Sequence, residues 1–136
     1  MLHLDFIRQH PDLLRAALRK RSVAAPLEET LALAEKRRGL ITRCEALRAR
    51  TKQEDEALRE IIRNAPPAER KRLAAPLQAA WNEVRQLEIE IASADSTLHT
   101  LLLQFPNLPH VSVPEGTGEG ENVEVRRWGA PADFTH

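Results

Sequence analysis

Hydrophobic residues recur along most of this chain at alternating steps of three and four, the spacing that aligns one stripe on an α-helix. The pattern is cleanest late in the chain, where Leu73, Leu77, Ala80, Val84, Leu87, Ile91, Ala94, Leu98, Leu101 and Phe105 follow it without a break. A stripe this narrow is a coiled-coil seam rather than the broader apolar face of a globular helix. An earlier seam runs from Leu27 through Leu31, Ala34, Arg38, Ile41, Cys44, Leu47, Thr51, Glu54, Leu58 and Ile61. Its two consecutive steps of three, Ile41 to Cys44 to Leu47, form a stammer expected to overwind the supercoil there. A shorter helical stretch, roughly residues 4–21, opens the chain. In it Pro11 suits the first position of a helix, and Leu13, Leu14, Ala17 and Leu18 repeat at helical spacing before Arg19-Lys20-Arg21. Residues 22–26 read as a connector.

The breaks decide the architecture. Asn64-Ala65-Pro66-Pro67 ends the first long seam. Two seams of similar length joined by a short break bury their stripes against each other only by running antiparallel. Helices of roughly 35 residues give a rod about 50 Å long at 1.5 Å per residue. Pro76 is discordant: it is expected to kink the second helix or delay its start until Ala75, leaving an irregular tip over residues 63–76. After Phe105, Pro106, Pro109 and Pro114 with Gly116, Gly118 and Gly120 forbid helix and mark a linker. Residues 123–128 read as one short strand closed by Gly129, which needs a partner sheet that this sequence does not supply. The expected fold is therefore all-α, a long antiparallel two-helix coiled-coil hairpin. It carries a short N-terminal helical segment and a C-terminal Pro/Gly-rich linker plus one short strand. Residues 1–105 form the arm, and 106–136 lead towards a further domain.

Composition agrees with this picture: 42% of residues are apolar and 29% charged, but only 4% are aromatic, a mix suited to long exposed helices. A single cysteine, Cys44, rules out an internal disulfide, and on the seam it reads as a small buried hydrophobe. Charged residues stand too close to the N-terminus for a secretory leader, and no apolar run approaches the roughly 20 residues that span a bilayer. The chain is expected to be cytoplasmic, without membrane contact. His3, His10, His99, His110 and His136 are scattered and lack metal-ligand spacing. The run Gly116-Thr117-Gly118-Glu119-Gly120 lacks the Lys-Ser/Thr ending of a phosphate loop. No catalytic residue, metal site or cofactor is expected in this chain.

Charge changes the picture more than composition does. The formal net charge is zero, but residues 8–21 hold five basic groups against one acid, +4. Residues 36–63 hold nine against five, again +4, and residues 73–105 hold Arg85 against four acids, −3. Lys36, Arg43 and Arg50 recur every seven residues and are expected to form a line away from the seam. Arg48, Lys52, Arg59 and Arg63 flank the seam, and Arg70, Lys71 and Arg72 cluster near the tip. A rod with one cationic side can follow a phosphate backbone by displacing condensed counterions, and it reads the shape of a structured RNA rather than its base edges. The competing reading of the same charges is solubility and inter-helix pairing.

Motifs at the two ends are more specific than the seams between them. Leu4-Asp5-Phe6-Ile7-Arg8, Pro11-Asp12-Leu13 and Ala17-Leu18-Arg19-Lys20-Arg21 resemble the start of seryl-tRNA synthetases. Pro106-Asn107-Leu108-Pro109-His110, Val113-Pro114 and Asn122-Val123-Glu124-Val125-Arg126-Arg127-Trp128-Gly129 resemble the stretch that joins their helical arm to the catalytic domain. The resemblance implies a cytoplasmic homodimeric class II enzyme that uses ATP and magnesium to attach serine to its tRNA, with this chain as its tRNA-binding arm. It also implies that the arm grips the elbow and long variable arm of serine tRNA, not DNA, and that the catalytic motifs lie downstream. The alternatives are a helical-hairpin protein-interaction module and a free-standing synthetase-like paralogue that binds another RNA.

Overall fold

The computed structural model describes residues 2–116 and 118–130, so Met1, Thr117 and His136 lie outside the described residues, as does the end of the expected linker. The elements are α1 (Leu4–Gln9), α2 (Pro11–Lys20), α3 (Leu27–Asn64), α4 (Pro67–Leu102) and a 3-10 turn at Glu119–Glu121. Helices α3 and α4, of 38 and 36 residues, pack against each other as an antiparallel hairpin. At 1.5 Å per residue the rod is roughly 55 Å long. Among the described residues no helix is long and apolar enough to cross a membrane.

The opening stretch is two helices rather than one. His10, at φ −130° and ψ 50°, leaves helical geometry, and Pro11 restarts the chain at the first helical position, where its missing N–H costs nothing. Helix α2 ends in a Schellman motif: the Val23 N–H donates to the Leu18 carbonyl at 3.1 Å and the Ser22 N–H to the Arg19 carbonyl at 2.9 Å. That motif places Ser22 at φ +50°, in the left-handed region. Glycine occupies this position without Cβ strain. Replacing Ser22 by glycine is therefore expected to stabilise the chain by about 0.5–1 kcal/mol, read as a raised denaturation midpoint. A lowered midpoint would mean that the serine side chain contributes something else.

The tip is tighter than the sequence suggests. Ala65 and Pro66 are the only non-helical residues between the long helices, both with extended backbones at ψ 152° and 151°. Proline restricts the residue before it to this region, so Pro66 and Pro67 together impose the corner. Pro67 then opens α4 at its first position, and the Pro66 carbonyl accepts the N–H groups of Glu69 and Arg70, each at 3.0 Å. The expected irregular segment over 63–76, and the delayed start at Ala75, are therefore corrected: Pro76 lies inside α4. An interior proline costs about 3 kcal/mol; Leu73 on one side of it is half-buried and Leu77 on the other is buried, so the helix continues through it.

The second seam is as the spacing predicts, each of its ten residues being buried or half-buried. The first seam needs three corrections. Thr30, beside the expected Leu31, is fully buried with its hydroxyl donating to the Pro26 carbonyl at 2.7 Å. Arg37 is partly buried while Arg38 points to solvent, and Ile62 is half-buried while Ile61 is 55% exposed. Leu31 instead packs into a cluster at the base of the rod, around Ile7, Leu14, Leu27, Leu102 and Phe105. Here α1 and α2 wrap the root of the hairpin. The Arg21 guanidinium donates to the Asn107 carbonyl at 2.6 Å and Lys20 to the Val111 carbonyl at 3.3 Å, holding residues 106–111 against α2.

The short strand expected at 123–128 is not formed, and no strand occurs among the described residues. Val123, Val125 and Trp128 are 68%, 94% and 87% exposed, as a segment with β pattern but no neighbouring strand must be.

Candidate nucleic-acid interface

Where the basic residues go decides what the rod can hold. Taken whole, α3 carries nine basic groups and eight acids and α4 four basic groups and five acids, so the segregation counted over shorter windows nearly vanishes along complete helices. Its remainder is spent between the helices. Arg43 pairs with Glu83 at 2.5 Å, Arg48 with Glu88, and Arg37 with Asp95. Lys36 lines one groove with Glu90 and Thr97. Arg43 is thus a flank residue facing α4, which corrects its expected place on a line away from the seam.

The other candidates on α3 are matched along their own helix. Arg50 pairs with Glu54 at 2.8 Å, Lys52 with Glu56 at 4.0 Å, Arg59 with Asp55 at 3.9 Å and Arg63 with Glu60 at 3.0 Å. The Arg50 guanidinium is held above its ordinary pKa by the hydrogen bond it donates to the Glu54 carboxylate, so it stays a cation under all conditions of interest. Exposed ion pairs of this kind contribute about 0.2–1 kcal/mol each and are readily exchanged for other anions.

The tip differs. Arg70 donates to the Ala65 carbonyl at 2.7 Å, a neutral partner that leaves its charge uncompensated. Among the described residues Lys71 and Arg72 form no ion pair, and all three cations are exposed. They stand in the first two turns of α4, where the positive end of the helix dipole adds to their field. Residues 61–76 hold four basic groups, Arg63, Arg70, Lys71 and Arg72, against Glu69, a local charge of +3 at the far end of the rod.

At the base, Arg15 bridges helices by donating to Glu28 at 2.7 Å and to Asp12 at 2.6 Å, and these bonds, the one to Glu28 foremost, raise its pKa. Arg37, which meets Asp95 across the hairpin one position before the expected Arg38, is a polar seam residue that hydropathy spacing does not mark. The polar Thr30 gave no hydropathy signal by which to set the register.

No group of three or more His, Cys, Asp or Glu side chains that could hold a metal ion occurs among the described residues. Cys44 is a buried free thiol between Val84 and Leu87. The arrangement offers a long rod with a charge-matched shaft and a cationic end.

Comparison with known proteins agrees with this geometry. Residues 1–109 match the family described as the seryl-tRNA synthetase N-terminal domain. Curated proteins named serine–tRNA ligase align along nearly the whole chain. The one from Thermomicrobium roseum is 42% identical over 134 residues, covering 98% of this chain and 29% of that protein. Those from Carboxydothermus hydrogenoformans and a Synechococcus strain are 38% and 40% identical, covering 99% and 100% of this chain and 31% and 32% of the relatives. The chain thus spans about a third of the length of the relatives it matches. With a helical hairpin on a small apolar base and a family match over most of its length, the chain belongs to the seryl-tRNA synthetase N-terminal domain family.

Proposed function

We propose that this chain is the tRNA-binding arm of a serine–tRNA ligase, gripping the elbow and long variable arm of serine tRNA while a separate catalytic domain attaches serine. The observation that carries the reading is the position of the uncompensated charge: it sits at the end of a roughly 55 Å rod rather than along its shaft. A cationic tip at that distance reaches phosphates far from the base, and its contacts are to backbone and shape. ATP and magnesium serve the catalytic domain of the whole enzyme, a cytoplasmic homodimer in this reading, and no step involving either runs through the arm's residues. Neither DNA nor a membrane is a partner. Lys36, Arg43, Arg48, Arg50, Lys52, Arg59 and Arg63 form a secondary surface, since an approaching phosphate must first displace a carboxylate from most of them.

The test is a filter-binding titration with serine tRNA, intact and with its variable arm deleted, at several salt concentrations. Binding should weaken on deletion and fall steeply with salt. Equal affinity for both RNAs would favour a paralogue that serves another RNA. Affinity without salt dependence, or none at all, would favour a protein-interaction hairpin. Neutralising Lys36, Arg43 and Arg50 together should lower affinity only a few-fold with helicity unchanged, because two of the three are matched by carboxylates.

A further inference from the structure

The hairpin is not held alike along its length. Its three cross-helix ion pairs, Arg37–Asp95, Arg43–Glu83 and Arg48–Glu88, all lie on the base side of Thr51. The buried seam residues of α3 end at Thr51, while those of α4 begin only at Leu77. Between these limits, over residues 52–76, no residue is buried; Leu58, Ile62 and Leu73 are half-buried. The ion pairs out there run within α3 alone.

Two defects coincide at this boundary. The Thr51 side chain is buried, yet its hydroxyl has no hydrogen-bond partner. Thr30, Thr42, Thr97 and Thr100, by contrast, each donate to the carbonyl four residues earlier. A buried hydroxyl without a partner weakens the folded state. On the facing helix Pro76 cannot donate to the Arg72 carbonyl, so the ladder of α4 is interrupted. Cys44 packs with Val84, and one heptad outward on both helices brings Thr51 level with Leu77, beside Pro76.

We infer a built-in joint at Thr51 and Pro76, across which residues 52–76 open and bend as a unit separate from the rest of the hairpin. Inside the joint, buried apolar side chains and cross-helix charges hold the two helices together. Outside it only half-buried contacts do, so the outer part, about a third of the rod, has its own lower opening free energy. The joint places the cationic tip on a short movable segment, whatever that tip binds.

Amide hydrogen exchange on the full chain tests this. Protection should fall in one step at the level of Thr51 and Leu77, with residues 55–72 exchanging at least roughly tenfold faster than the helical residues on the base side. The double variant Thr51→Val with Pro76→Ala removes both defects. It should slow exchange of residues 55–72 by about tenfold or more and leave the base side unchanged, while Thr51→Val alone moves it in the same direction. Protection that is uniform, or that declines smoothly from the tip and is unmoved by either variant, would overturn the joint and leave ordinary end fraying.

Discussion

Leu87→Ala is expected to lower the thermal midpoint of the chain by roughly 8–15 °C, a loss of about 2–4 kcal/mol. Leu87 is 3% exposed and packs with Cys44 and Val84, beside Leu40, Leu47 and Ile91. A two-helix rod has no second layer of core to close over a deleted side chain, so the cavity stays, and the lost burial adds to it. Two residues along, Ile89 is 58% exposed. Ile89→Ala is the matched control and should change stability by less than about 0.5 kcal/mol. Circular dichroism melts of the pair read the difference directly, and equal losses would refute the assignment of the seam.

Reversing Arg70, Lys71 and Arg72 to glutamate should have the largest effect on RNA binding. Three cationic contacts become three repulsions at the end of the rod. Serine tRNA affinity should fall by roughly a hundredfold or more at moderate salt. The milder change of all three to glutamine should reduce the slope of log affinity against log salt by about 2 to 3. Helicity should hold in both variants, because none of the three touches the seam. A triple-glutamine variant that binds with unchanged affinity and slope would move the interface back to the shaft, where Arg48 and Lys36 become the next residues to change.

The extent to which this structure was legible in the sequence follows from the side chains on each seam. The α4 seam is built from Leu, Val, Ile, Ala and Phe, so hydropathy alone traces it to the last residue. The α3 seam is partly polar. Thr30 reaches its buried position by returning its hydroxyl to the Pro26 carbonyl, and Arg37 by meeting Asp95. Neither arrangement has a hydropathy signature, and the reading slid one residue to Leu31 and Arg38. The cross-helix ion pairs were invisible for a different reason, their partners being 40 or 58 residues apart. Counting charge by window detects that segments differ, but not that they neutralise each other. Ser22 escaped because the residue that marks a left-handed helix end is glycine. The tip was overcomplicated because Pro76 was weighed by its own cost, without the burial of Leu73 and Leu77 around it.

The two-residue corner at Ala65 and Pro66 has a bearing on how such a rod can change size. With the turn at the far end, residues added to one helix alone would put its later side chains out of step with their partners on the other. Residues added in matched heptads, one to each helix, leave the base and the corner as they are. Each such step carries the corner about 10 Å outward. Length in this fold is therefore graduated like a ruler, and a lineage that must span a larger or smaller partner can reset its reach in fixed increments without redesigning either end.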